Sequence, residues 1–591
     1  MKYAQYGGDY RIEDPGRLLR RAARLGRDLS RPALGALLAT VLATAARLLG
    51  PLVVRRGVDQ GIEAGDGGVV TTAALLFLAL LGFQYVAQRV AQYAVAWVGE
   101  RFLLKLRSAV FSHMMRLDLP FYDNAKTGVL VSRMTSDIES MTEFVNEGAV
   151  LALTNFLTAV GVAVAIGLLD WQLALITFGV ILLLVLISMV FQKQVSKAYE
   201  KVRERIGRVL ASLQEGITGV RVVQAFTQEA SQASNFRHVN QRYFEANMAA
   251  ARAISWYFPT VAFLRVASVA LVLLFGGLRA LDGDLTTGTL IAFLLYLDWF
   301  FQPIINLANV YNLLQASLAA LAKLYELLDT QPVVLERPGA YDLQPPVDGA
   351  LELTNVSFGY APEHPVLSDL VLSVPAGQRL AVVGETGAGK STIAKLLLRF
   401  YDPDSGAVAI DGHDLRDLTF ESRARTLVLI PQDGFLFNGT LRENVRYGRP
   451  TATDREIWDV ARAMGIDGWL RALPDGLDTE VRERGTRFSA GERQLIALAR
   501  AFLVEPEVIV LDEATSNLDP ETEVQVEGAL RILLAGRTAV VIAHRLRSAE
   551  RADRVVMIDG GIIIADGHHG DLVRTSPPYR ELVDVWERGN A

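Results

Sequence analysis

The chain has 591 residues, a formal net charge of −6 and no cysteine. Missing thiols exclude disulfide and thiol chemistry, and the negative balance gives no reason to expect nucleic acid as a partner. Hydrophobic residues make up 51% at a mean hydropathy of +0.25, high for a soluble protein, and the apolar excess lies before residue 330.

Residues 14–31 carry Arg17, Arg20, Arg21, Arg24, Arg27 and Arg31 and read as an amphipathic basic helix lying along a membrane surface. Six stretches then reach the length of about 20 residues that a helix needs to cross a bilayer. They lie near 33–54, 70–97, 145–169, 171–191, 256–281 and 286–305. Stretches 98–144 and 192–255 are rich in basic residues. The short connections carry mostly acids, namely Asp59, Glu63, Asp66, Asp170, Asp282 and Asp284, with Arg55, Arg56 and Arg279 as exceptions. This bias places both termini in the cytoplasm. The first apolar run lies too far in, and lacks a small-residue cleavage site, to be a cleavable signal peptide.

No proline occurs between Pro120 and Pro259. The polar stretches 98–118, 128–144, 192–212 and 222–255 are therefore expected to extend the spans as long helices. Turn residues interrupt them at FYDNAKTG (121–128) and EGITGV (215–220). Residues 330–348, TQPVVLERPGAYDLQPPVD, form a proline-rich linker.

Past the linker, strand-like RLAVVG (379–384) runs into GETGAGKST (384–392) and the helically spaced STIAKLLLRF. Gly384, Gly389, Lys390 and Ser391 satisfy the phosphate-loop spacing, with Glu385, Thr386, Gly387, Ala388 and Thr392 completing the segment. A triphosphate is densely anionic, so backbone N–H groups must converge on it, and glycines allow that approach. Lys390 reaches the outer phosphates and the Ser391 hydroxyl is placed to ligate Mg2+, which predicts ATP binding. VIVLD (508–512) reads as a buried parallel strand ending in Asp512, placed to hold Mg2+, followed by Glu513, a general base for the attacking water. His544 follows another strand-like run, TAVVIA, within reach of a γ-phosphate.

With these motifs in order, residues 349–591 resemble the nucleotide-binding domain of an ATP-binding cassette (ABC) transporter. Tyr360 in VSFGY resembles the residue that stacks on adenine, and Gln432 in LIPQD the glutamine that senses Mg2+ and the attacking water. RFSAGERQ (487–494) sits at the family signature, TSNLD (515–519) resembles the loop that crosses the dimer interface and ends in Asp519, and TEVRERG (479–485) resembles the exporter segment that contacts the membrane domain. The whole chain resembles an exporter half-transporter: an all-α six-helix transmembrane domain followed by an α/β P-loop domain. The resemblance divides it into an N-terminal elbow (1–32), a membrane domain (33–329), the linker and the cassette (349–591). It makes 121–128 and 215–220 similar to coupling helices that rest on the cassettes.

The family implies two cassettes sandwiching two ATP, each bound by one chain's phosphate loop and the other chain's signature residues, here Ser489, Gly491 and Glu492. It also implies a second half-transporter as partner, residence in the bacterial cytoplasmic membrane, and a small-molecule, lipid or peptide substrate. An importer on the same architecture and an ATP-gated channel remain as alternatives, whereas six spans exclude a soluble ABC ATPase.

Two departures stand out. The signature is FSAGE, where the family has LSGGQ. A Cβ at Ala490 is expected to restrict the backbone, and the Glu492 carboxylate to repel phosphate unless paired, with Arg493 as the expected partner. A weak signature beside an intact Glu513 is the pattern of one half of a heterodimer, against which stands a homodimer with FSAGE as a working variant. Second, Arg265 and Asp298 fall at similar membrane depth, about 13 Å from one side and about 12 Å by the returning span at 1.5 Å per residue. They are expected to pair or to line a cavity, with Gln302, Asn306 and Asn309 as weaker candidates.

Overall fold

The apolar runs of the N-terminal half fold into helices far longer than a bilayer requires. The computed structural model describes residues 14–361, 363–482, 485–512, 520–543 and 545–589, in two units. One consists of the described residues of Gly8–Met115 with Thr127–Thr330, the other of Arg116–Lys126 with the described residues of Gln331–Ala591.

In the first unit, five helical stretches among the described residues are long and apolar enough to cross a membrane: Arg27–Ile62, Gly67–Met114, Thr127–Leu169, Trp171–Thr218 and Glu229–Leu281. The expected sixth span falls in helix Thr287–Asp329, which is not among those five and includes side chains outside the described set at 304, 305, 307 and 308. Helix Gly67–Met114 has 48 residues, about 72 Å at 1.5 Å per residue, more than twice a hydrocarbon core of about 30 Å. Its polar half therefore continues beyond the membrane, as expected of the stretch 98–118, and no proline occurs between Pro51 and Pro120 to break it. Within 127–169 the helix widens into π turns at Arg133–Asp137 and Phe144–Gly148, which no residue pattern announced.

The acids of the short connections act as caps and ties. Asp170 caps helix Trp171–Thr218 by accepting from the Leu173 N–H (2.8 Å), while its other oxygen accepts from Arg279 (2.7 Å). Asp59 accepts from the Gly288 N–H (2.7 Å) and the Thr286 hydroxyl (2.8 Å), tying two connections together. Arg265 and Asp298 meet at 2.5 Å, as their matched depth suggested. Both side chains stay about half exposed, 49% and 60%, so the pair is not sealed within one chain. Helix Pro15–Leu25 is fastened by Arg21, which pairs with Asp329 at 2.6 Å and lies 4.2 Å over the Tyr325 ring.

The second unit holds two sheets. Strands β1 (Leu351–Phe358), β2 (Leu367–Val374), β4 (Ser405–Ile410) and β5 (His413–Asp414) make an antiparallel sheet in the order β2-β1-β4-β5. The other sheet runs β10-β9-β3-β8-β7-β6, from β3 (Arg379–Val383), β6 (Leu427–Ile430), β7 (Val508–Asp512), β8 (Thr538–Ile542), β9 (Arg554–Asp559) and β10 (Ile562–Gly567). Strands β9 to β6 are parallel, with β10 antiparallel at the edge. The near-continuous burial of β3 and β7 is what a sheet covered on both faces requires. In such sheets ligands bind at the carboxyl ends of the strands, where the phosphate loop, Asp512 and the residue before His544 all fall.

Candidate nucleotide site

The phosphate loop leaves β3 at Gly384 and enters helix Lys390–Leu397. Gly384 has φ +146°, and a Cβ there would sit 2.1 Å from the Ile558 carbonyl oxygen, so the strand end admits only glycine. Gly387 (φ +89°) and Gly389 (φ +107°) continue the left-handed turn, and space is open above Gly387. Lys390 is 5% exposed, and its Nζ donates to the Gly384 and Glu385 carbonyls at 2.7 Å each, which holds the cation over the loop. A left-handed glycine cradle, an ammonium above it and a helix N-terminus behind it fit a polyphosphate.

Tyr360 is half exposed, which leaves a ring face open for stacking, and sits edge-on to Phe358 and Tyr401 with ring centroids 5.1 Å and 5.3 Å away. Its hydroxyl is 3.2 Å from the Thr392 hydroxyl, and Lys395 Nζ lies 5.3 Å from its ring centroid. Thr392 and Lys395 share one face of the helix because they are three residues apart. Asp123, on short helix Leu119–Asn124 in the same unit, accepts from Lys395 (2.8 Å) and from the Tyr401 hydroxyl (2.8 Å). Burial is the largest influence on the Lys395 ammonium and disfavours it, but the hydrogen bond and charge of Asp123 together with Tyr360 outweigh burial and leave its pKa raised. Burial, then Asp123, push the Tyr401 hydroxyl up, so it stays a neutral donor. Asp118 fixes the same segment by accepting from the Val333 and Val334 N–H groups at 2.6 Å and 2.8 Å. The Asp123 cluster was not read from the sequence.

Asp512 ends β7, one strand from β8 and two from β3. Gln432 follows β6 and is exposed, as is Ser391 at the start of its helix. A hydroxyl, a carboxylate and an amide oxygen are the hard oxygen donors that Mg2+ would take, were these three residues to hold it. Among the described residues there is no cluster of three or more His, Cys, Asp or Glu side chains that would hold a metal ion. Glu513, Asp519 and His544 lie outside the described residues, as do Glu483 and Arg484 of TEVRERG. The Gln432 loop is braced by two residues to which the sequence assigned no role. Gln494, 2% exposed, donates to the Pro431 carbonyl (3.3 Å), and buried Asn444 exchanges hydrogen bonds with the Phe437 backbone at 2.8 Å and 2.9 Å.

The signature opens helix Ala490–Val504, with Ser489 as N-cap. Two expectations are corrected here. Ala490 is the first helical residue, a conformation that any L residue adopts, so its Cβ costs no strain. Glu492 does not pair with Arg493, which donates instead to the Phe488 carbonyl at 2.8 Å. The Glu492 carboxylate closes a capping box, accepting from the Ser489 N–H at 2.7 Å while the Ser489 hydroxyl accepts from the Glu492 N–H at 3.2 Å. Its other oxygen accepts from the Trp469 indole at 2.9 Å. Gly491 has no room for a side chain, since a Cβ would lie 1.8 Å from Thr522 Cγ2.

A carboxylate satisfies two donors, whereas a glutamine at 492 would turn its NH2 toward one of them. Glu492→Gln and Trp469→Phe are each expected to cost about 1–2 kcal/mol of cassette stability. The double variant should cost clearly less than their sum, because both changes remove the same bond. Denaturant unfolding of the four proteins in the cycle measures this, and strict additivity would refute the pairing.

This geometry defines a transporter: membrane-length helices fused to a cassette built around a polyphosphate cradle. The chain matches the ABC transporter transmembrane region over residues 34–304 and the ABC transporter domain over 367–516. It is 35% identical over 547 residues to the uncharacterized ABC transporter ATP-binding protein YknV of Bacillus subtilis (strain 168), covering 92% of this chain and 90% of that one. It is also 35% identical over 562 residues to the multidrug efflux ATP-binding/permease protein Rv0194 of Mycobacterium tuberculosis, covering 95% of this chain and 47% of that one. An ATP-dependent lipid A-core flippase of Thiobacillus denitrificans is 33% identical over 546 residues, 92% of this chain and 93% of that one. The solved structure of a bacterial Atm1-family ABC exporter with ATP bound superposes with a TM-score of 0.77 at 29% identity, over 95% of this chain and 99% of that one. The chain belongs to the ABC transporter family and has the exporter fold, with an ATP-binding cassette domain behind its membrane region.

Proposed function

We propose that the chain is one half of a dimeric, ATP-hydrolysing exporter that moves an amphipathic or hydrophobic substrate across the bacterial cytoplasmic membrane by alternating access, with both termini cytoplasmic. The observation that carries this reading is a single polyphosphate cradle, Gly384–Ser391, on the same chain as five membrane-length helices among the described residues. Relatives named for multidrug efflux and for flipping lipid A-core support an amphipathic substrate. The match to only 47% of the multidrug relative supports a half-transporter.

In the proposed cycle the segment 384–392 takes the phosphates, Tyr360 stacks on adenine, and Ser391, Asp512 and Gln432 hold Mg2+. Bound Mg2+ supplies charge neutralisation at the outer phosphates. Glu513 accepts the proton of the attacking water, Gln432 orients that water, and His544 touches the γ-phosphate. Ser489, Gly491 and Glu492 complete the partner's site, and Asp519 lies where the two cassettes meet. The boundaries proposed for this machine are an elbow to residue 32, a membrane domain to 329, a linker to 348 and the cassette beyond.

A heterodimer is the favoured assembly. Glu492 places a negative charge in the first turn of the helix whose positive end would face the partner's γ-phosphate. A homodimer has one observation in its favour: FSAGE forms a complete, unstrained cap. ATP turnover and particle mass of the chain purified alone in lipid nanodiscs separate the two. An idle or monomeric chain, active only with a second half-transporter, is expected. A homodimer whose Mg2+-dependent turnover disappears in Glu513→Gln would overturn the heterodimer and keep the ATPase. Turnover unchanged by Glu513→Gln would sink the catalytic assignment itself.

A further inference from the structure

We propose that the cassette carries a second binding site, for a small anion with an apolar body, in the groove between helices Pro520–Leu533 and Leu546–Glu550. The sheet topology creates the groove. The connection from β8 to β9 passes over β3 and carries a helix of only five residues, too short to cover the strands beneath. Val541 is accordingly the one partly exposed residue of β8. The cavity has a volume of about 600 Å³, within the range of small-molecule sites and too small for a two-chain phospholipid. Leu511, Leu530, Leu534 and Val541 give it an apolar floor.

Its walls are strongly basic. Five arginines and two glutamates line it, leaving an excess of three positive charges. Glu523 is already paired with Arg545 at 3.0 Å, and Glu527 with Arg551 at 3.1 Å. Arg379, Arg531 and Arg547 make no ion pair with a described residue, so three guanidinium groups border one apolar hollow. A planar fork of donors suits phosphate, sulfonate or carboxylate, and the floor suits an aryl or single acyl group. The groove is separate from the phosphate cradle: none of the cradle residues lines it. Leu511 and Arg545 nevertheless stand directly beside Asp512 and His544 in the sequence, so an occupant lies against both elements that end at the ATP site.

The test is calorimetric titration of the full chain in nanodiscs with 1-naphthyl phosphate, with and without a saturating non-hydrolysable ATP analogue. The expected result is one saturable site per chain, at equal affinity with and without the analogue. Affinity should fall at least tenfold in the Arg531→Ala/Arg547→Ala double variant and at least tenfold for uncharged 1-naphthol. Both arginines are exposed, and unchanged binding of the ATP analogue verifies that the double variant is folded. The proposal is overturned by absence of saturation up to about 10 mM, a weak-binding limit of only a few kcal/mol. It is equally overturned by undiminished binding in the double variant, or by displacement of the probe by the analogue, which would place the probe in the phosphate loop.

Discussion

Lys390→Ala is expected to lower ATP turnover by about a hundredfold to a thousandfold, the usual cost of removing one preorganised group that stabilises a developing charge. The size follows from the preorganisation of this ammonium. It is nearly buried, it spends its donors on two loop carbonyls at 2.7 Å, and the cradle positions it before phosphate arrives. Arginine is no substitute, because a compact point charge fits this buried position and a broad planar fork does not. Phosphate release by the assembled transporter, measured against ATP concentration, decides the matter. Retention of more than a tenth of the wild-type maximum would remove Lys390 from the catalytic account.

Asp123→Ala is expected to separate ATP turnover from movement of the membrane helices. The segment that carries Asp123 is continuous with helix Gly67–Met114 on one side and with the stretch from Thr127 on the other, yet it packs with the cassette. Its carboxylate holds Lys395 and Tyr401, both of which border Tyr360, the proposed adenine platform. Losing two charge-assisted hydrogen bonds costs about 1.5–3 kcal/mol, or about tenfold to a hundredfold in the equilibrium that keeps this segment docked. Turnover should stay within about threefold, since no atom of the proposed phosphate site is touched. The chain has no cysteine, so one introduced at Leu281, 86% exposed, would be its only thiol. ATP should change the labelling rate of that thiol in the parent and leave it unchanged in the Asp123→Ala variant. An undiminished response in the variant would refute the coupling role.

The features that the sequence displayed were the local ones. Gly384 to Ser391 is a motif because a phosphate cradle needs those residues at that spacing, and VIVLD is a strand because both faces of a parallel sheet are buried. The apolar runs marked the long helices for the same reason. What stayed hidden was set by distance along the chain or by direction around a helix. Arg493 seemed the natural counter-ion for Glu492 because it is adjacent, but neighbours in a helix point about 100° apart. The actual partner, Trp469, comes from another helix. Ala490 looked strained only while its place in the helix was unknown. Asp123 and Lys395 are 272 positions apart, and no local pattern joins them. The acids of the short connections were visible as charges, but their work as caps and ties at Asp170 and Asp59 required the fold.

The bond between Trp469 and Glu492 also bears on how this cassette diverges from its relatives. An indole N–H that faces position 492 needs an acceptor there, so the two positions are constrained as a unit. Among homologues, glutamate at 492 should travel with tryptophan at 469, and a return to glutamine should arrive with loss of that indole. A cassette grafted from this chain would carry its signature chemistry only if the helix bearing Trp469 came with it, which makes the heritable module larger than the five-residue motif.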